Sequence, residues 1–529
     1  MRLRSFKPES VLAWAAALVG AIGVASALTP EMANRYRIVR GVLPPGFPTA
    51  ARIGALAFGI VLIWLARSLA RRRRRAWQLA VAVVIASAIA HLLKGLDFEE
   101  ATISLLLLVA LLRYRRTFDV PGDPGTNRPL LAILAAVATA GAVILGVELR
   151  GGEISDRASD VFTALGFVLG FVALYLWLKP LSHRVAQTVG ERHVARALVD
   201  AYGRDSLSFF ALRRDKSFFF SPTRRAFLAY RVVAGAALVT GDPVGDEDEF
   251  DALLAEFRRV VHANGWRLAV LGASDAQLDH YRAVGLRPIL LGEEAVLRPD
   301  SFSLEGRPIR KVRQSVTRLE KAGYRLRVVA AEDADPALRT ELDRVSDLWL
   351  GRNPERGFTM SMDELYAPGT VFAVAETEDG DIGGFLHLAP TPAGGGWSLS
   401  TMRRVPDAPN GLTEFLIAKT LTWAKDEGAS EVSLNFCAFT TVISAGGEAS
   451  WPQRLLRRGL LAADSIFQLE RLYAFNRKFF PEWRPRYVCV ERLSDIPRVG
   501  LAYLHLEQLL VPPGPWARKP QRERQVVSH

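Results

Sequence analysis

Apolar runs long enough to cross a bilayer fill the chain before residue 180, and they restrict its possible folds more than any other feature. A spanning helix needs about 20 mostly apolar residues. Segments 11–28, 50–70, 76–93, 129–147 and 161–178 meet or approach that length. A shorter run, 98–112, carries Ile103-Ser104-Leu105-Leu106-Leu107-Leu108 behind Glu99 and Glu100. Counting all of them predicts six spans. The first run also ends in Ala25-Ser26-Ala27, a small-residue pattern of the kind cleaved from signal peptides. Because further spans follow at once, an uncleaved anchor is the expectation.

Positive charge orients such a bundle, because short loops rich in Lys and Arg stay on the cytoplasmic side. Arg2, Arg4 and Lys7 precede the first span, and Arg71 to Arg75 separate the second from the third. Arg113, Arg115 and Arg116 follow the fourth, and Lys179 and Arg184 follow the sixth. The alternate loops hold Asp97, Glu99 and Glu100, or Glu148, Glu153, Asp156 and Asp160; Arg35, Arg37 and Arg40 are the exception. Both termini are therefore expected in the cytoplasm, on a multi-pass protein of the inner membrane. His91 and Lys94 sit near a span end, where snorkelling is the plain explanation, and no intramembrane charge pair suggests transport. Gly166 and Gly170 have the spacing that permits close helix packing.

After residue 181 charged and apolar residues mix as in a soluble protein. Short strands at 218–220, 226–230 and 236–239 precede a helix at 249–264, a strand at 267–271, a helix at 275–284 and a strand at 288–291. A second set opens with a helix at 310–322, where Val312, Val316 and Leu319 share a face before Gly323. Strands 371–375 and 382–388 flank Asp379-Gly380, a hairpin signal. Strand 397–403, the loop 405–411, a helix at 412–427 stopped by Gly428 and a strand at 431–436 complete it. Each set ends strand–helix–strand, so the expected fold is an α-helical transmembrane bundle followed by α+β, with two tandem acyltransferase-type lobes. The expected boundaries are 1–180 for the membrane region, 181–300 for the first lobe, 301–510 for the linking helix and second lobe, and 511–529 for a basic tail.

The net charge of +12 favours anionic partners, lipid headgroups or nucleic acid, although membrane topology alone accounts for much of it. Two cysteines, Cys437 and Cys489, make no disulfide framework. No Cys/His cluster has zinc spacing. No Walker A loop, GxSxG elbow or GxGxxG after a strand occurs, so ATP and serine hydrolysis lack support. No cofactor or metal is expected.

Five stretches carry a family resemblance. Phe227-Leu228-Ala229-Tyr230-Arg231-Val232 is followed by Thr240-Gly241-Asp242-Pro243-Val244-Gly245. Arg313 to Tyr324 reads RQSVTRLEKAGY, and Glu355-Arg356-Gly357-Phe358 follows. Met402-Arg403-Arg404, Pro409-Asn410-Gly411 and Trp423-Ala424-Lys425 come next, and 475–487 reads FNRKFFPEWRPRY. In this order, over about 200–490, they resemble the bacterial phosphatidylglycerol lysyltransferases. The resemblance implies two GNAT-like lobes and transfer of an amino acid from aminoacyl-tRNA to the glycerol hydroxyl of phosphatidylglycerol. It implies aminoacyl-tRNA as donor, an anionic phospholipid as acceptor, and a membrane setting with the catalytic region facing cytoplasmic tRNA. The membrane region is shorter than in the large members, so no flippase is implied.

That ester is already activated, which leaves the protein to align substrates and stabilise an oxyanion. Arg403, at the end of the central strand, is the first candidate for that contact, against a structural ion pair. Glu355 is a candidate to position the amino group or act as a base, against a solvated loop. Asn410 and Gly411 open a helix N-terminus suited to phosphate or the tRNA 3′ end, against plain capping. Arg310, Lys311, Arg313, Arg318 and Lys321 suit tRNA or lipid phosphate, against an exposed helix face. Arg477, Lys478, Arg484 and Arg486, interleaved with aromatics, suit tRNA or headgroup contact. Ser400 stands where the family strand is expected to carry an acid, which puts lysine in question as the transferred amino acid. A different acyl donor or acceptor on the same fold, or a non-catalytic lipid- or RNA-binding protein, are the competing readings.

Overall fold

Helices occupy all six of the apolar runs, and a mixed sheet occupies the polar remainder. The computed structural model describes residues 8–29, 47–95, 97–149, 156–179, 181, 183, 185–351, 357–438 and 469–508. It divides into two compact units, residues 1–182 with 260–266, and residues 183–259 with 267–529.

The first unit contains α1 (Pro8–Leu28), α2 (Phe47–Leu69), α3 (Arg74–Gly95), α4 (Phe98–Arg113), α5 (Asn127–Leu149) and α6 (Asp156–Trp177). Among the described residues, Pro8–Leu28, Arg52–Leu69 and Arg74–Leu93 are long and apolar enough to cross a membrane. α4 has 16 residues, which at 1.5 Å per residue fall short of a hydrocarbon core of about 30 Å. α1 and α2 cross backbone to backbone: a Cβ on Gly20 would lie 2.6 Å from the Gly59 carbonyl, and one on Gly59 2.7 Å from that of Gly20. Such contact lets small residues replace the hydrophobic drive that lipid does not supply. Gly166 and Gly170 differ, since a Cβ on either would meet nothing within 4 Å. His91 is not at a snorkelling edge: it is 1% exposed and faces Gly23 of α1. The arginine run folds into a turn in which Arg73 donates to the Leu178 carbonyl (2.7 Å), while Arg75 donates to Thr126 Oγ1 (2.7 Å) and stacks on Trp177.

The second unit begins with α7 (Val189–Tyr202), whose Thr188–Glu191 capping box holds its first turn. One sheet follows, with strands β1 (Ser217–Phe220), β2 (Ala226–Val233), β3 (Ala236–Thr240), β4 (Val244–Gly245), β5 (Arg267–Ser274) and β6 (Arg287–Leu297) from the first lobe. The second lobe adds β7 (Arg325–Ala330), β8 (Val371–Glu376), β9 (Ile382–Thr391), β10 (Gly396–Arg404), β11 (Val432–Ala438) and β12 (Glu482–Val490). The helices are α8 (Phe250–Ala263, of which the residues up to Arg259 belong to this unit), α9 (Leu278–Ala283), α10 (Arg310–Lys321), α11 (Pro336–Leu350), α12 (Leu412–Asp426), α13 (Leu469–Asn476) and α14 (Ile496–Leu506). The strand order is β1-β2-β3-β5-β12-β6-β11-β10-β9-β8-β7, with β4 on β2.

Each lobe is an antiparallel meander, then a helix, then a strand parallel to the last of the meander: β3–α8–β5 and β10–α12–β11. This is the tandem GNAT-like arrangement. Val312, Val316 and Leu319 of α10 and Phe415, Leu416 and Leu421 of α12 share one core with β8, β9 and β11. β6 extends well past the expected 288–291. Gly292, Glu293 and Glu294 interrupt its apolar pattern, yet Glu294 turns inward to meet an arginine. The helix expected at 275–284 is a 3-10 turn (Asp275–Gln277) followed by the short α9.

Candidate functional site

Parallel strands that stay paired leave no cleft, and the lobes differ on this point. β3 and β5 remain in register from Ala236↔Arg267 to Thr240↔Leu271, and the Gly241 N–H continues to the Leu271 carbonyl (2.9 Å). Asp242 then closes the end, accepting from the Ser274 N–H (3.1 Å) and the Tyr281 hydroxyl (2.8 Å). Burial, with Asp205 nearby, pushes the Asp242 carboxyl up to about 6, against the pull of Arg486. Thr240-Gly241-Asp242 is therefore a structural closure.

β10 and β11 pair only at Trp397↔Val432 and Ser398↔Ser433 and then part. β10 bulges between Leu399 and Thr401, and β11 bulges between Ser433 and Phe436. Asn435 sits in the second bulge at φ +66, a conformation its short polar side chain tolerates. Strands that part leave backbone groups in need of partners. Asn435 supplies them, donating from Nδ2 to the Leu399 and Met360 carbonyls, the latter at 3.0 Å.

The segment 357–362 walls this opening and is tied from every side. The Ser400 hydroxyl accepts the Met362 N–H at 3.0 Å. Arg213 donates from Nη1 to the carbonyls of Gly357 (3.1 Å) and Ser361, and pairs through Nε and Nη2 with the two carboxylate oxygens of Asp215. Arg213, Lys216 and Arg231 lie 5.5, 5.1 and 6.0 Å from the Phe358 ring centre, a favourable use of its electron-rich face. Lys216 is fully buried and donates to the Phe210 carbonyl at 2.8 Å. Burial, helped by Arg213, brings its ammonium down to about 7.

Arg403 is 3% exposed near the end of β10, and the register places Phe385 opposite it on β9. His387, fully buried and stacked on Phe372 at 5.0 Å, is lowered to about 3 by burial and by Arg403. It stays neutral, so Arg403 supplies the positive charge there.

The structure brings several other sequence-derived candidates together at the start of α12. Gly411 takes φ +93 as its N-cap, so close to α10 that a Cβ would lie 2.6 Å from Ser315 Oγ. Arg318 reaches across to donate to the Asn410 carbonyl. Lys478 pairs with Glu414 in the first turn of α12 at 2.7 Å, and Arg477 is exposed beside it. Arg310, Lys311 and Lys321 are exposed on α10, whereas Arg313 is tied to the carbonyls of Leu304 (2.7 Å) and Gly306 (3.0 Å).

Arg484 and Arg486 lie apart from that group. Arg484 pairs with Glu431 (2.7 Å) and Glu482 (3.1 Å). Arg486 is 3% exposed and bonds Glu294 (2.8 Å), the Gly272 carbonyl (3.2 Å), Ser206 (2.9 Å) and Asp205 (2.7 Å). Both guanidinium groups are thus engaged within the fold. Glu355 lies outside the described residues. Sequence reasoning missed Lys216, Arg213, Arg231 and Asn435. Arg213-Arg214-Asp215-Lys216 reads as an exposed charged turn, and only the φ > 0 tolerance of asparagine hinted at Asn435.

A family model described as phosphatidylglycerol lysyltransferase, C-terminal, matches residues 196–490. A lysylphosphatidylglycerol biosynthesis bifunctional protein LysX from Mycobacterium sp. (strain KMS) is 32% identical, over 94% of this chain and 50% of its own length. The LysX of Rhodococcus jostii (strain RHA1) is 33% identical over 85% and 44%. The chain spans about half the length of these curated relatives. Among solved structures, L-PGS from Bacillus licheniformis superposes with a TM-score of 0.53 at 26% identity, over 60% of this chain and 96% of that one. The C-terminal domain of a putative lysylphosphatidylglycerol synthetase from Agrobacterium fabrum gives 0.50 at 27%, with the same coverage.

Proposed function

The chain belongs to the phosphatidylglycerol lysyltransferase C-terminal family, and from that premise we propose that it moves an aminoacyl group from aminoacyl-tRNA to the glycerol hydroxyl of phosphatidylglycerol. The observation that carries the reading is the opened strand pair of the second lobe, with the buried Arg403 beside it. In the transfer, the lipid hydroxyl oxygen bonds to the ester carbon and the bond to the tRNA ribose oxygen breaks. The proton lost by the lipid ends on that ribose oxygen. Arg403 is the group we assign to the oxyanion that forms between these events, since a guanidinium stays charged at any working pH.

The first turn of α12, flanked by Arg318 and Lys478, suits the phosphates near the tRNA 3′ end, because a helix N-terminus attracts anions. Exposed Arg310, Lys311, Lys321 and Arg477 extend the positive surface, and such contacts bind nucleic acid without reading its sequence. Three membrane-capable helices hold the enzyme against its acceptor, and the arginine-rich loops favour a cytoplasmic α+β region. Ser400 spends its hydroxyl as an acceptor for Met362, and the reading leaves the amino acid open to lysine or another.

Lipid extraction from cells with and without the protein tests this. An aminoacylated phosphatidylglycerol should appear only with it, and its absence despite protein at the membrane would end the reading. Arg403→Ala should lower product formation by roughly 10²–10³ at unchanged membrane level; retained activity would remove Arg403 from the mechanism.

A further inference from the structure

The wall at 357–362 owes much of its shape to a residue beyond the family match, which ends at residue 490. α14 packs Val499 and Ala502 into a core shared with Ala236, Leu238, Ala269 and Leu271 of β3 and β5. Glu507 follows it, 5% exposed. Its Oε2 accepts the N–H groups of Gly357 (2.7 Å) and Phe358 (3.0 Å), and its Oε1 accepts the N–H and hydroxyl of Thr359, both at 3.3 Å. Three successive N–H groups converging on one anion form a backbone nest, and Gly357 opens it with φ +105. Arg213 grips the carbonyls of the same segment, while Ser400 and Asn435 hold its far end against the parted strands.

We propose that Glu507 is a positioning residue for the transfer reaction, a strut that runs from a first-lobe core to the wall of the second-lobe cleft. The proposal rests on the reading of that cleft as the transfer site. Removing the carboxylate strips three neighbouring N–H groups of their acceptor at once. The end of the wall nearest Phe358 then relies on Arg213 and on the cations around the Phe358 ring, while the Ser400 end stays fixed. A wall pivoting in this way misplaces a substrate without unfolding the sheet, and a misplacement near 1 Å is enough to slow a reaction about 10²-fold.

The experiment uses the full chain in phosphatidylglycerol vesicles with a mixed aminoacyl-tRNA pool, comparing wild type, Glu507→Ala and Glu507→Gln. Glu507→Ala should lower kcat about tenfold or more while the KM for lipid moves less than about threefold. Glu507→Gln should fall between, because its one carbonyl oxygen keeps the Gly357 and Phe358 bonds and its amide cannot accept from Thr359. Amide exchange at 357–359 should quicken in Glu507→Ala while β10 stays protected. Wild-type kcat in Glu507→Ala overturns the proposal. So does faster turnover, which would make the carboxylate a plug in a nest meant for a substrate anion. If the alanine variant fails to accumulate, a glutamine variant indistinguishable from wild type overturns it instead. A wild type that makes no aminoacylated lipid defeats the transfer reading itself, and this proposal with it.

Discussion

Replacing Arg486 with methionine removes the cation from the most deeply buried ion cluster described in the α+β unit. Glu294, 1% exposed, then keeps only the hydroxyl of Ser433 and the neighbouring Ser206 around its carboxylate. Breaking a buried pair from one side costs about 3–5 kcal/mol. An independent bound comes from protonation: Glu294 can take up a proton rather than stay charged. At pH 7 that costs about 1.4 kcal/mol per unit above an ordinary value near 4.3, or roughly 4 kcal/mol. Asp205 adds little, since it is partly exposed and water can replace its partner.

The two estimates agree, and the second predicts a pH dependence. In the wild type, burial pushes the Glu294 carboxyl up, but Arg486 and the serine hydroxyls outweigh it and hold the carboxyl below its ordinary value. Its contribution is therefore present above the unfolded value and lost as pH falls through the folded one. In Arg486→Met the carboxyl is raised, so the variant takes up a proton on folding and gains stability as pH falls from 7 towards 5. The gap between the proteins should narrow across that window. Thermal unfolding of detergent-solubilised protein at pH 7 should show an apparent midpoint lower by on the order of 10 °C. Arg486→Met with Glu294→Gln should recover at least half of it. A loss under about 1 kcal/mol, a gap that ignores pH, or a double variant no better than the single would show that an unpaired Glu294 does not carry the cost.

Gly411→Ala should cost about 1–3 kcal/mol, since its φ is +93 and its Cβ would press on Ser315 and Arg318. Aminoacyl transfer should fall with it, and activity equal to wild type would show that the α12 turn tolerates displacement. Lys216 is depressed from 10.5 to about 7, so between those values the unfolded chain holds a proton that the folded one does not, and stability rises with pH. Lys216→Met should flatten the rise in apparent midpoint from pH 7 to 9.5; an unchanged slope would assign it to another group.

What the sequence disclosed is what nearest neighbours along the chain encode. The hairpin at Asp379-Gly380 formed as its turn chemistry required, with Gly380 at φ +88. The face Val312–Val316–Leu319 was buried, and Gly428 followed the helix it was expected to stop. Ion pairs between distant segments left no such mark. Arg484 and Arg486, among aromatics, have the composition of a nucleic-acid surface, and beside the local Glu482 their carboxylates arrive from Asp205, Glu294 and Glu431, far away in the chain. Lys216 was hidden for the same reason, as its burial depends on Phe210 and on Phe358 of the other lobe. The opening between β10 and β11 was equally silent, because a pair of bulges sets it.

The place of β12 between β5 and β6 bears on how the protein can be made. A ribosome delivers β5 and β6 first and β12 only after the whole second meander, so two strands of the first lobe wait with their facing edges bare. Bare edges invite pairing with other chains. The first lobe is thus no removable module, and a chain cut ahead of Glu482 should aggregate instead of yielding a smaller folded enzyme. The lobes are two in topology and one in assembly.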